Sequence, residues 1–450
     1  MGAGRGTGTT RRRALQLVAG ASLSALLLAG CGGGGGGGQA GGGSTQTSGV
    51  TITVALAADP PPKAALDDFT KQTGITVNWV NIDWDSLQTK ISAAATAKTY
   101  FADATDVDWS RVGQLGKLGW FYPMGDYLDV ESMKADMPQL ASFTSDGKVV
   151  GIPYDASFMV TTYNKKLFDA AGVTKEPTTM DEYTAALQKV KAKGDVEHPL
   201  DIPFAASEGL STYWYETTGA FGGSVLDESG KPQFTDPGSP GYKAAQWMVD
   251  AMKNGLVPPG NINVTDSQGQ QTLMAKGEVA SIFSDYSGTV GTLYDLPDQS
   301  SVKGQVRYLA TPGVTGPTAN LSNPDGVGIP KEAKYPQAAA KFIEWFTSEQ
   351  QQVDFAGVNG PEKAFTAFPI PSRLSAVEKM TASGNLVYGD QLSTMLEGSK
   401  PVFPGGAPTW YPQFSNAVYT NLHAAATGSM SVDDAIKAMG DTATKLSSGQ

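Results

Sequence analysis

The chain has 450 residues, 40% of them hydrophobic, and a formal net charge of -11 at pH 7, which is enough apolar material for two or three domains with cores of their own. A single cysteine excludes an intramolecular disulfide framework and a thiolate metal cluster, and two histidines, His198 and His423, leave little for imidazole catalysis or zinc chemistry. The first thirty residues carry Arg5, Arg11, Arg12 and Arg13 and no acid, so the remainder is more acidic still, a surface that repels nucleic acid and suits a soluble exported protein.

The opening stretch TTRRRALQLVAGASLSALLLAG has a basic start, an apolar run from Leu15 to Leu28 and a small-residue end, the layout of a secretory signal over 1–30. It is short for a membrane-spanning helix. Its last residues, LAGC (Leu28 to Cys31), resemble the bacterial lipobox, which implies cleavage before Cys31 and lipidation of its thiol. Two or more acyl chains give stable anchoring. TRRRAL is similar to a twin-arginine export signal, and ordinary Sec export suits the same segment. The glycine-rich stretch from Gly32 to Gly49 has almost nothing to pack and reads as a coil, so 31–49 is a lipidated cysteine and tether with a reach on the order of 20 to 25 Å.

From Val50 onward short β-branched runs alternate with amphipathic segments, an α/β pattern. VTITVAL reads as a strand, KAALDDFTKQTG as a helix stopped by glycine, ITVNWVNI as a strand, SLQTKISAAATAK as a helix, and DATDVDWSRVGQLGKLG as strand, turn and helix. This βαβαβ run predicts an open, mostly parallel sheet. VVGIPYDASFMVTTYNKKLFDAAGV predicts strand, break, strand and short helix, and TMDEYTAALQKVKAKG and AAQWMVDAMKNGLV predict helices. VASIFS, VRYLATPG and DGVGIPKEA return to strands, and the chain from Gln337 onward is mostly helical.

The blocks ALDDFTKQTGITVNW, DATDVDWSRVGQLGKLGWFYPM, GKVVGIPYDASFMVTTYNKKLFDAAGV, GEVASIFSDYSG, GVGIPKEAKYPQAAAKFIEWFTSEQQQ and PVFPGGAPTWYPQFSNAVYTNLHAAATGSMSVDDAIKAM occur in a telling order. In that order the chain resembles the maltose-binding-like extracellular solute-binding proteins of carbohydrate ABC importers, over nearly all of its length after the tether. The resemblance implies a type II periplasmic-binding-protein-like fold, two α/β lobes with a ligand cleft between them. One lobe would hold 50–155 plus 312–348 and the other 156–311 plus 349–450, with crossings near Pro153 to Ser157, near Ala310 to Gly313 and after Trp345. It further implies a monomeric, lipid-anchored receptor on the outer face of the cytoplasmic membrane. Such a receptor binds a di- or oligosaccharide by hinge closure, passes it to permease subunits and needs no cofactor.

A sugar offers an apolar ring face and a rim of hydroxyls, so its site needs flat aromatic walls with carboxylates or amides around them. Trp84 and Asp85 in DWD, and Asp108 and Trp109 in DVDW, follow predicted strands, where open α/β sheets bind ligands; packing within the lobe is the competing role for each tryptophan. Asp59, at the end of the first strand, has the same placement, with capping of the next helix as its competitor. By the resemblance, Tyr154 and Asp155 at the first crossing and Asp285 and Tyr286 in SDYSG also face the ligand. The aromatic clusters STYWYETTG and PTWYPQ offer Trp214, Trp410 and Tyr411 as further cleft residues, and Arg373 belongs to a region that faces the cleft in relatives or is a surface arginine. Trp79, Trp247 and Trp345 fall inside regular patterns and read as core, and Trp120 as packing at a helix end.

Enzyme readings fare worse. No G-x-S-x-G elbow, H-E-x-x-H pair or complete P-loop is present. Asp106-Val-Asp108 is a metal spacing of some glycosyltransferases but too short to carry weight, and a surface glycosidase or glycan adhesin stays open because two carboxylates suffice for glycoside hydrolysis. A receptor for another small solute, such as a polyamine, is the other alternative.

Overall fold

The computed structural model describes residues 44–355 and 370–449. Val50–Leu56 (β1) alternates Thr with Val and Ile, so Val50, Ile52 and Val54 pack inward while Thr51 stays exposed. It pairs in parallel with Ile75–Asn81 (β2) along its full length and with Ala104–Asp108 (β3) from Val54↔Ala104. Between them Lys63–Thr73 (α1) stops at Gly74, in the left-handed region at φ 71, and Trp84–Ala97 (α2) crosses back over the sheet.

Two further strands complete this sheet, Ile152–Pro153 (β4) and, much later, Asp325–Gly328 (β10), in the order β2-β1-β3-β10-β4. The sheet is therefore mixed, a correction to the parallel expectation: β10 runs antiparallel to both neighbours because the chain re-enters from the other half. A close approach fixes the glycine in this strand, since a Cβ on Gly326 would lie 2.6 Å from the Phe143 ring.

The second sheet holds Met159–Asn164 (β5), Leu200–Asp201 (β6), Ser281–Tyr286 (β7) and Val306–Leu309 (β8), in the order β8-β5-β7-β6. Its central strands are buried yet carry Thr, Ser and Asp, which pair with each other or with backbone, as in Thr162 Oγ1 donating to Asp285 Oδ2 at 2.7 Å and Thr161 Oγ1 to Phe283 O at 2.9 Å. Buried polar groups persist only when satisfied in this way.

Helices cover both sheets. Val112–Lys117 (α3) follows β3. Met180–Lys193 (α4) begins with a Thr179–Glu182 capping box, and Glu208–Ala220 (α5) and Pro240–Lys253 (α6) follow it. Pro336–Phe346 (α7) and Glu349–Phe355 (α8) lead to the undescribed stretch, after which come Leu374–Ala382 (α9), Gly389–Glu397 (α10), Tyr411–Ala426 (α11) and Val432–Ser447 (α12).

One core gathers Ile52, Phe69, Phe342 and Phe346 of the first half with Val377 and Met395 of α9 and α10, and extends onto Val160 and Tyr308 of the second sheet. Trp79 and Trp345 pack against it, Trp79 at 5.7 Å from Phe346 and Trp345 at 4.8 Å from Phe69. The other core joins Tyr183, Trp214 and Phe234 to Phe414, Val418 and Met439 of α11 and α12, with Trp247 against Phe283. Trp120 is buried beside Phe121. Each such aromatic contributes about 1.5 to 3 kcal/mol by leaving water.

The chain passes between the sheets at 154–158 and again at 310–324, the second passage carrying the short strand Leu321–Ser322 (β9), which pairs in parallel with Lys400–Pro401. The passages are stitched together: Asn323 N donates to Ser157 O at 3.1 Å, and Gln139 Nε2 reaches both Ser157 O at 3.0 Å and Ser322 Oγ at 2.6 Å. Residues 370–373 lie beside the first passage, with Ala156 N donating to Ile370 O at 3.0 Å and Ser372 Oγ to Pro153 O at 2.7 Å. The export segment and Cys31 lie outside the described residues.

Candidate functional site

A cavity of about 470 Å³ lies between the two sheets, within the size range of small-ligand sites. Its first wall is built where β1, β2 and β3 end, by Ala57, then Asp83, Trp84 and Asp85, then Asp108, Trp109 and Ser110. Its floor is the passage region, with Asp155, Ser157, Asn323, Asp325 and Ile370. The opposite wall comes from the start of α5 (Ser207, Glu208, Thr212), from Thr265 and Asp266, and from Tyr286 and Ser287 at the end of β7. Carboxyl ends of parallel strands are where backbone turns away from a sheet and leaves such a crevice.

Local chemistry sets each side chain. Asp83 caps α2 by accepting from Ser86 N at 3.1 Å, which places Trp84 in the first turn facing the cavity, with the Arg111 guanidinium 5.6 Å from its ring centre. Asp108 ends β3 and accepts from the Ser110 backbone at 2.8 Å and from its hydroxyl. Trp109 leans on Tyr411 and Phe403, with centroids 5.6 and 6.1 Å away. Across the cavity the Tyr286 hydroxyl donates to Asp266 Oδ2 at 2.5 Å. Ser207 Oγ is buried without a hydrogen-bond partner among the described residues, so it is free to meet a ligand hydroxyl.

The lining contains seven carboxylates, two tryptophans and a tyrosine, and no Lys, Arg or His among the described residues. Burial pushes Asp155 up to about 7, against the pull of the Asp325 and Ser157 N–H groups it accepts from, with Asp108 adding a smaller upward push. Asp325 is held well above the usual carboxylate range by burial and then by Asp106, Asp155 and Asp108. Asp106, directly behind, is raised by burial and by Asp108 although Gln88 Nε2 bonds it at 2.6 Å. Glu208 is raised by burial in spite of Arg111, and it accepts from the Tyr411 hydroxyl and from Ser415 Oγ at 2.9 Å. Burial favours the neutral form of these carboxyls, and a protonated carboxyl can donate to a hydroxyl as well as accept from one.

Of the residues singled out from sequence, Trp84, Asp85, Asp108, Trp109, Asp155 and Tyr286 line this cavity together. The others are placed elsewhere. Asp59 is exposed outside it, accepting from Asn81 Nδ2 at 2.9 Å, and does not cap α1 either. Tyr154 is buried one layer below, its hydroxyl 3.5 Å from Asp106. Trp214 is wholly enclosed in the second core, its Nε1 donating to Gly241 O at 2.9 Å, so the expectation that it faces the cleft is corrected. Asp285 is inside the second sheet, bound by Thr162 and by the Tyr294 hydroxyl at 2.8 Å.

Arg373 is neither in the cavity nor a free surface arginine: its NH1 pairs with Asp136 at 2.9 Å and its Nε donates to Thr347 O at 2.6 Å. Trp410 stacks edge-on to Phe414 outside the cavity, and Tyr411 backs Trp109 from a fully buried position.

Sequence reasoning missed Ser157, Ser207, Glu208, Thr212, Asp266, Asn323 and Asp325. A signal existed for two of them, since Ser207 followed by Glu208 is the cap-and-acid start of a helix. Asn323 and Asp325 enter the floor only through the β10 register, which no local pattern reveals.

Comparison with known proteins bears on this geometry. The profile of the bacterial extracellular solute-binding protein family matches residues 25–353. A Brucella abortus protein named as a binding protein is 26% identical over 295 residues, covering 64% of this chain and 68% of that one. The diacetylchitobiose binding protein DasA of Streptomyces coelicolor is 22% identical over 305 residues, 65% of this chain and 67% of its own. Among solved structures, maltose-bound MalE3 of T. maritima superposes with a TM-score of 0.75 at 22% identity, over 88% of this chain and 100% of that chain, and shares its two-lobed fold. With the profile spanning most of its length and a cavity set between two α/β lobes, the chain belongs to the bacterial extracellular solute-binding proteins.

Proposed function

We propose that this protein is the sugar receptor of an ABC importer, held at the outer face of the cytoplasmic membrane by lipid on Cys31. The observation that carries the reading is the cavity itself, to which both lobes bring carboxylates and aromatic faces around a shared floor. The ligands of relatives, diacetylchitobiose and maltose, support the class. Trp84 and Trp109 would stack on the ring face from one lobe, with Tyr286 opposite, while Asp85, Asp108, Asp155 and the other carboxylates take the hydroxyl rim.

Contacts to both lobes exist together only when the lobes approach, so ligand selects the closed state and closure presents a surface to the permease subunits. The protein acts by binding and release as a monomer, without a cofactor and without turning the sugar over.

A thermal-shift screen over mono-, di- and trisaccharides tests this. Ligand at a hundred times its dissociation constant adds about 2.7 kcal/mol of stability, and no shift across the whole panel would remove the sugar assignment. Cys31→Ser should release the protein from the membrane fraction, and an oligosaccharide that binds should be recovered intact after hours of incubation.

A further inference from the structure

Resting on the sugar reading, the cavity also indicates which kind of sugar. We propose that the ligand carries a protonated amine, seated against Asp108, Asp155 and Asp325, so that the receptor selects an aminated sugar over its neutral or acetylated counterpart. Hydroxyl recognition does not call for seven carboxylates with no cationic side chain in the described lining. Arg111 is turned to the rings of Trp84 and Tyr411, at 5.6 and 5.8 Å from their centres, and to Glu208 at the far wall, so it does not neutralise the floor.

On the floor, Asp155 is 9% exposed, and both bonds it accepts, from Asp325 N at 3.0 Å and Ser157 N at 3.4 Å, fall on Oδ1. Its Oδ2 takes no hydrogen bond among the described residues, while the side chain lines the cavity. Asp108 likewise receives Ser110 on Oδ1 alone, and Asp325 is its direct partner in the β3–β10 register. Asp106 sits behind all three, so the group repels itself unless protons or a cation enter. An ammonium has three donors and no acceptor, and it meets three carboxylates with charge-assisted bonds. The faces of Trp84 and Trp109 hold a sugar ring and attract a cation, whereas a flexible polyamine would leave Ser207 Oγ without a hydroxyl to pair with.

The experiment is calorimetric titration of the purified protein at pH 7.0 with sugars that differ only at one substituent. One set is the glucosamine disaccharide, diacetylchitobiose and cellobiose; the other is glucosamine, N-acetylglucosamine and glucose, with spermidine as a separate probe. The aminated member of a set should bind at least tenfold tighter than its partners and weaken several-fold between 20 and 200 mM salt. Asp155→Asn, whose amide oxygen still accepts both N–H groups, should weaken the aminated sugar at least tenfold more than any neutral sugar, and an equal loss for both overturns the amine assignment. Asp85→Asn at the rim is a second variant and should cost the aminated sugar less. Equal or tighter binding of the neutral members overturns the amine assignment and leaves the sugar receptor standing. Binding of spermidine with no sugar bound overturns both, as does failure of every sugar.

Discussion

Asp155 stands at the first passage between lobes and, buried, titrates near pH 7 rather than near 4. A carboxyl whose pKa rises on folding is fully compatible with the fold below its unfolded value. It then costs stability progressively as pH climbs toward the folded value, because the unfolded chain gives up the proton first. Asp155→Asn should therefore gain stability relative to the parent between pH 4 and pH 7, by on the order of 3 to 4 kcal/mol, read by urea unfolding of the ligand-free protein at both ends of the window. A constant difference across that range would show that Asp155 is ionised in the folded state.

Two tryptophans make a second contrast. Trp109→Ala removes a cavity wall and should lower the affinity for the best sugar about tenfold, the loss of one stacking face, with little change in Tm. Trp214→Ala empties a closed core site and should cost about 3 to 5 kcal/mol of stability, while the protein that remains folded binds with unchanged affinity. Their sequence surroundings gave no such distinction. Trp109 directly follows a strand, where the chain turns away from the sheet toward a ligand, but α5 is buried almost all the way round, so no apolar stripe marks which of its rings turn inward.

At the scale of elements, the start of α5 shows how one residue places another. A Cβ on Gly209 would lie 2.2 Å from the Asp266 carboxyl carbon, so the missing side chain lets Asp266 approach the helix and meet the Tyr286 hydroxyl. Gly209→Ala ordinarily favours a helix by about 1 kcal/mol, but here it should push Asp266 away and weaken ligand binding several-fold. A rise in Tm together with unchanged affinity would disprove that role.

The elements themselves were largely readable. VTITVAL is β1 to the residue, and the glycine stop after α1 and the cap-and-glycine frame of α4 stand where propensity puts them. What local pattern cannot carry is pairing between distant segments. The insertion of β10 between β3 and β4, the resulting mixed sheet, and the arrival of Asn323 and Asp325 beside Asp155 all depend on register across more than a hundred residues.

For the whole molecule, the passages at 154–158 and 310–324, with 370–373 alongside, are adjacent and bonded to one another, and the first core runs past them onto Val160 and Tyr308, so closure would bend them as one band. Small-angle scattering should show a smaller radius of gyration when a binding sugar is added, and fluorescence from Trp84 and Trp109 at the wall should change in step. A ligand that raises Tm but leaves the scattering curve unmoved would mean that the lobes are already together before it arrives.

The late entry of β10 has a further consequence for how the protein is made. The first sheet has its strand order β2-β1-β3-β10-β4, so its interior gap is filled only after the entire second sheet has been synthesised. A nascent chain stalled before Asp325 exposes the unpaired edges of β3 and β4, a template for aggregation. The amino-terminal lobe thus completes after its neighbour's sheet has been translated, and its folding is slowed by a long loop closure. Ribosome-stalled or truncated chains ending near residue 300 should stay protease-sensitive across β1 to β4, and chains extended through α7 should acquire protection there.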